Sequence, residues 1–199
     1  MKKLLFRYMN KITKIQKAIK FATKTHEVYQ KQKRKGKDIS YIIHPLSVGI
    51  ILASVTNDEG IICAGILHDT IEDSIPEKKV DYEMVEERFG KRVADLVLAV
   101  TEQDKEMSWD NRKKEAIEHI NKMENDELLV KTGDVVANLS ELVDDYLRNG
   151  DSIFSSFNAP KEKKLNNDLN VLNAILERWS DNPFKGKIIE LKTNIEKML

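Results

Sequence analysis

Apolar residues recur at three- and four-residue steps along most of the chain. Ile12, Ile15, Ile19, Ala22, His26 and Tyr29 line one face of a first helix. The basic stretch KQKRKGKDIS ends that stripe. The spacing resumes near His44-Pro45, with the proline at a first-turn position, and continues through Leu46, Ile50, Ile51 and Ala53. TNDEG forms a capped turn into a third helix, apolar at almost every position (Ile61, Ile62, Cys63, Ala64, Ile66, Leu67), that runs to about Asp73. Past Pro76, an amphipathic helix with Val80, Met84, Val85 and Phe89 closes at Gly90, and Val93, Leu96, Val97 and Val100 mark the next. EQDKEMSWD reads as loop, and Asp110 or Asn111 caps a helix through Ile117 and Ile120. A long helix over 128–147 ends at Asn149-Gly150. The polar loop DSIFSSFNAPKEKK follows, then helices near 165–179 and 188–199. No segment alternates with a period of two, and no repeat is present. The pattern predicts an all-α bundle of about nine or ten helices. It forms one domain over 1–199, with its core over about 12–180 and a peripheral last helix at 183–199.

Composition narrows the classes. Lys and Arg total 33, as do Asp and Glu, so formal net charge is zero and no global field favours nucleic acid or membrane. The single cysteine, Cys63, excludes an intramolecular disulfide and a Cys-cluster zinc site. Its apolar neighbours make it a small buried residue. The N-terminal MKKLLFRYMNK starts like a secretory signal, but Arg7 breaks its apolar core and no cleavage site follows. No apolar run approaches the ~20 residues of a membrane span. The expectation is a cytoplasmic protein.

One stretch carries the chemistry. ILHDTIEDSIP sets His68, Asp69, Glu72 and Asp73 at the carbonyl end of the third helix, where carboxylates are disfavoured. A cation is expected there. On a helix, His68 and Glu72 lie one turn apart, as do Asp69 and Asp73. Lysines could neutralise a solvated cluster, but the buried character of the preceding run favours a cleft. From the residues alone, a metal or catalytic site and a structural charge network both remain open.

HDTIED, the upstream YIIHP and the downstream KTGDVVANL together resemble the HD superfamily of metal-dependent phosphohydrolases. More narrowly, the chain is similar to the hydrolase domain of RelA/SpoT proteins and to single-domain small alarmone hydrolases such as the metazoan SpoT homologues. The match runs over about 15–173 and includes QKRKGKDISYIIHP, FGKRVADLV, SWDNRKKEAIEHI and FNAPKEKK. The resemblance implies an HD-domain helical bundle in which His44, His68, Asp69 and Asp134 bind one divalent metal ion. That mix of imidazoles and carboxylates suits Mn²⁺, with Fe²⁺, Co²⁺, Mg²⁺ and Zn²⁺ as competitors. It also implies that Glu72 and Asp73 jointly handle the proton of the attacking water. Arg34 and Lys35, within the run of Lys31, Lys33, Arg34, Lys35 and Lys37, would contact the guanine base and phosphates, and Asn138 the nucleotide.

The chain departs from the family pattern at several places. Val135 stands where a basic residue usually follows the metal aspartate, Gly133 where Ala usually precedes it, and Ser40 where a proline is usual. Leu139-Ser140-Glu141 replaces a segment in which an Arg is frequent. A lost cation and an added acid weaken attraction for polyphosphate. The implied activity is a stand-alone (p)ppGpp 3′-pyrophosphohydrolase releasing pyrophosphate and GDP or GTP. Two alternatives are a hydrolase of the same fold acting on NADPH, adenosine alarmones or another phosphorylated nucleotide, and a non-catalytic nucleotide-binding module. The partner is a small-molecule nucleotide, with neither nucleic acid nor membrane implied. The sequence does not fix an oligomeric state.

Overall fold

The most continuous apolar run forms helix α3 (Glu59–Leu67), in which every residue from Gly60 to Leu67 is buried. A helix that is apolar all round has no solvent face, so other elements must cover it on each side. The computed structural model describes residues 2–101 and 107–199, with side chains from residue 13 onward. Residues 102–106, the first part of the expected loop EQDKEMSWD, and the side chain of Ile12 lie outside the described residues. Among those described there are nine α-helices and no strand, only an isolated bridge between Lys33 and Ser40. Two compact units are evident: Met1–Arg34 with Asp38–Thr101, and Lys35–Lys37 with Glu102–Leu199.

In the first unit, α3 packs against α1 (Lys2–Thr23), α2 (Ile43–Ala53) and α5 (Lys91–Val100), while α4 (Tyr82–Phe89) pairs with α5. Ala18, Ala22, Val48, Leu52, Val85, Val93 and Val97 fill the core, and Phe21 meets Phe89 edge to face at 5.6 Å. Two glycines set the approach of α2 to α3. A Cβ on Gly65 would stand 2.2 Å from Leu52 Cδ1, and one on Gly49 2.5 Å from Ile66 Cγ1. Pro45 occupies the first turn of α2, as its spacing predicts, but Ile50 faces solvent. In an almost uniformly apolar stretch, periodicity could not say which face was outward.

Other helix ends follow their chemistry. Asp58 caps α3, its Oδ1 accepting from the N–H of Gly60 (2.8 Å) and Ile61 (3.2 Å). Gly90, at φ 84°, links α4 to α5 in a conformation that disfavours a side chain. After α1 the chain widens into a π-helical turn, Lys24–Tyr29, before the basic loop.

In the second unit, α7 (Asn125–Asn149) packs against α8 (Lys161–Arg178), α9 (Lys185–Glu196) and the 3₁₀ segment Gly150–Ser156. The last helix is well anchored: Ile188, Leu191 and Ile195 are buried, and α9 contacts both α7 and α8. Helix α6 (Trp109–Ile120) is capped not by Asp110 or Asn111 but by Ser108, whose hydroxyl accepts from the Asn111 N–H at 3.3 Å. Asp110 sits within the first turn instead, paired with Lys163 at 2.6 Å. The segment read as a polar loop divides, its first part forming the 3₁₀ turn and KEKK opening α8.

Two substitutions test these contacts. Gly65→Ala should destabilise the protein by about 1–3 kcal/mol, because the added methyl collides with Leu52, and a urea melt reads the loss. For Asp58, burial pushes the carboxyl upward, but Arg92 and the cap N–H groups outweigh it and hold the group below the usual carboxylate range. Its stabilisation is therefore present above a pH of about 4 and fades as pH falls through the lower folded value. Asp58→Ala should cost about 1 kcal/mol at neutral pH, with the gap to wild type narrowing in acid melts.

Candidate metal centre and acid pair

The close crossing of α2 and α3 delivers His44 from the first turn of one helix and His68 from the residue after the other. Both are almost fully buried, and their Nε2 atoms stand 3.2 Å apart. His68 Nδ1 lies 2.8 Å from the Gly65 carbonyl, which can only accept, so Nδ1 carries the proton and Nε2 of the neutral ring presents a lone pair. That lone pair faces Asp69 Oδ2 at 2.9 Å, and His44 Nε2 lies 3.8 Å from the same oxygen. Three atoms that can each offer a lone pair to a cation therefore converge. Neighbouring ligands of an ion with bonds near 2.1 Å are about 3.0 Å apart in an octahedron and about 3.4 Å apart in a tetrahedron. The His44–His68 separation of 3.2 Å falls in that range and His68–Asp69 at 2.9 Å lies at its lower edge, while His44–Asp69 at 3.8 Å is wider; the donor types fit one divalent metal.

The HDTIED motif is not a continuation of the helix. Helix α3 ends at Leu67, and residues 68–73 form consecutive turns. The Thr70 N–H donates to the Leu67 carbonyl at 2.9 Å and the Asp73 N–H to the Asp69 carbonyl at 2.9 Å, so the acids stay on one side of the chain. The Thr70 hydroxyl turns back to the Leu67 carbonyl (2.7 Å), one of the local bonds that compete with a regular helix. Glu72 and Asp73 are half-buried there.

The second unit holds Asp134 on α7. Asn138 Nδ2 donates to Asp134 Oδ1 at 2.7 Å, which places the pair on one face as the four-residue spacing predicts. Lys131 Nζ donates to Asp134 Oδ2 at 2.9 Å, so a cation adjoins this aspartate from the preceding turn even though Val135 follows it. Glu141 is neutralised within the unit by Lys37 at 2.6 Å, and Lys37 also reaches Asp145 at 2.5 Å. Burial pulls the Lys37 ammonium down, but the two carboxylates outweigh it and hold it above the ordinary lysine range. In the basic run, then, Lys37 is occupied structurally. Arg34 lies over the Tyr41 ring at 5.5 Å, and the exposed Lys35 over Phe157 at 5.3 Å. Burial pushes the Cys63 thiol up to about 12, so it is an inert core group.

Three residues near the site were not singled out by sequence reading. Tyr41 donates its hydroxyl to Asp69 Oδ2 at 2.5 Å, Gln32 Nε2 donates to Asp73 Oδ2 at 3.0 Å, and buried His26 adjoins Gln32. Tyr41 lies three residues before His44 within YIIHP, a spacing that could have marked it. Gln32, uncharged within a basic run, gave no such signal.

The family model described as "HD domain" matches residues 18–161. The chain belongs to the HD-domain family. It is 31% identical over 131 residues to the Drosophila melanogaster protein named guanosine-3′,5′-bis(diphosphate) 3′-pyrophosphohydrolase MESH1, covering 65% of this chain and 69% of that one. The MESH1 protein of Xenopus tropicalis is 33% identical over 130 residues, with 64% and 69% covered. A guanosine-3′,5′-bis(diphosphate) 3′-pyrophosphohydrolase of Aquifex aeolicus is 45% identical over 101 residues, 51% of this HD-domain chain but only 13% of that relative. A solved structure described as a metazoan ortholog of SpoT that hydrolyzes ppGpp superposes with a TM-score of 0.68 at 25% identity, covering 93% of each chain. A Listeria monocytogenes structure gives a TM-score of 0.67 at 28% identity, covering 77% of this chain and 99% of its own.

Tyr41→Phe removes a donor that orients Asp69. It should weaken divalent-metal affinity about 10–100-fold with the helical content unchanged, read by metal titration against circular dichroism.

Proposed function

We propose that this HD-domain protein is a metal-dependent phosphohydrolase that removes the 3′-pyrophosphate of (p)ppGpp, yielding pyrophosphate and GDP or GTP. The observation that carries the reading is the buried pair His44 and His68, 3.2 Å apart, with the half-buried Asp69 beside them and the acid pair within four residues. The likeness to MESH1 proteins over most of both chains supports the substrate class. His44, His68 and Asp69 are assigned as ligands, with Asp134 as the fourth on the order of its motif in the sequence. Mn²⁺ is the ion this imidazole–carboxylate mix suits best. When bound, such an ion polarises a phosphoryl oxygen and makes a water acidic enough to attack near neutral pH.

The chain's own groups do the rest. Glu72 and Asp73 orient the water and take its proton, as carboxylates within hydrogen-bond reach can. Arg34 contributes a planar guanidinium for the base, Lys35 a point charge for a phosphate, and Asn138 a polar contact to the nucleotide. Among the described residues no helix is long and apolar enough to cross a membrane, and we assign the protein to the cytoplasm, where nucleotides are its partners. A second reading, hydrolysis of NADPH or an adenosine alarmone, is favoured by Val135 and by Leu139-Ser140-Glu141, which leave no cation directly after Asp134.

The purified protein with Mn²⁺, offered ppGpp, pppGpp, NADPH and an adenosine alarmone, should release pyrophosphate fastest from the guanosine tetra- and pentaphosphates. Phosphate release from NADPH alone would favour the second reading. His68→Ala and Asp134→Ala should each lose bound metal and at least about 100-fold in rate while remaining helical. Stoichiometric metal in both variants would sink the ligand assignment.

A further inference from the structure

Gln32 lies in the basic loop, half-buried, and its hydrogen bonds run to other groups of the protein. Its backbone is fixed on both sides: its N–H donates to the His26 carbonyl at 3.0 Å and its carbonyl accepts from the Tyr41 N–H at 2.9 Å. Its side chain spans two groups. Nε2 donates to Asp73 Oδ2 at 3.0 Å, and Oε1 faces His26 Nδ1 at 3.3 Å.

The chemistry of these groups decides which way each one points. An ionised carboxylate only accepts, so the Gln32 NH₂ must face Asp73 and its oxygen must face the imidazole. An amide oxygen only accepts as well, so His26 Nδ1 carries the ring proton, shared with Gln30 Oε1 at 2.9 Å. His26 has no solvent exposure, and among the described residues its Nε2 has no hydrogen-bond partner. Burying an imidazole with one nitrogen unsatisfied costs free energy that packing alone would not require, since an apolar residue of similar volume fills such a space more cheaply. The ring sits in the π-helical turn Lys24–Tyr29, a wide turn of the kind that recurs at functional sites.

We propose that Gln32 is a positioning residue for hydrolysis: anchored by the Nδ1–H of His26, it holds the Asp73 carboxylate in one orientation for its work on the attacking water. The proposal rests on the reading that Asp73 acts at the reacting centre. On this proposal the effect of Gln32 passes through Asp73 and not through direct contact with substrate or metal.

Steady-state kinetics on the metal-loaded full chain test it. Gln32→Glu keeps the shape but sets an acceptor against an acceptor, and Gln32→Leu removes the donor. Both should lower kcat by about tenfold or more, within the range that general-base groups supply. KM for ppGpp should stay within about twofold, and bound metal per chain should not change. His26→Phe, which leaves Gln32 and Asp73 intact, should lower kcat by a smaller factor. In an Asp73→Asn background, Gln32→Leu should add no further loss, since its target is already disabled.

If Asp73→Asn is inactive while both Gln32 variants and His26→Phe keep wild-type kcat, Gln32 is idle and the inference fails alone. A rise in KM or a loss of metal in place of the kcat effect would assign Gln32 to binding and also overturn it. So would a full multiplicative loss in the Asp73→Asn background. If Asp73→Asn itself retains wild-type kcat, the acid-pair reading fails first and takes this inference with it. Should Gln32→Leu not fold, the isosteric Gln32→Glu and the His26 variant carry the same test.

Discussion

Two helices that cross with almost nothing between them govern this fold. At Gly65 and Gly49 no side chain fits: one would strike Leu52, the other Ile66. This contact brings the start of α2 and the end of α3 together, and with them His44 and His68. Since protein interiors are packed as densely as organic crystals, even a single methyl at the crossing moves the backbones instead of being absorbed by slack. The spacing of the two imidazoles is thus set by glycines several residues away. A carbonyl belonging to one of those glycines also fixes the His68 tautomer.

Around this crossing the chain separates two tasks. Helix α2 carries His44, while His68, Asp69, Glu72 and Asp73 belong to the turns after α3, where side chains and backbone bond locally. Turns aim neighbouring side chains in directions a regular helix cannot. Each aspartate then has an orienting donor from the segment before α2: Tyr41 for Asp69 and Gln32 for Asp73. Both donors come from the loop whose visible feature in the sequence is its positive charge.

Helices with a clear apolar stripe could be read directly, because a period near 3.6 and a terminal Gly or Asp each have one physical meaning. Helix α4 ends at Gly90, and α7 ends at Asn149. Where the stripe was continuous, as in α2, the outward face could not be assigned, and Ile50 proved exposed. The end of α3 was placed too late because Thr70 and the acids keep helical spacing, although the Thr70 N–H bonds three residues back, to Leu67, as in a turn. The HD motif made the metal-binding types legible. Tyr41, Gln32 and His26 escaped because an uncharged amide, a tyrosine and a core histidine acquire meaning only from partners distant in sequence. Gln32 and Asp73 are 41 residues apart. Lys37 shows the converse: a residue that looked like part of a phosphate-binding run is committed to Glu141 and Asp145.

The complete enclosure of α3 has a further consequence for fluctuations. Amide protons of a helix without a solvent face exchange only when its surroundings open, so they should report the highest free energy of opening in the first unit. The turns that follow, in which Asp69, Ile71, Glu72 and Asp73 are only half-buried, should open at lower cost. The boundary between slow and fast exchange would then fall at Leu67, so His68 stands at the edge of the slow-exchanging core and the acids follow it in the turns.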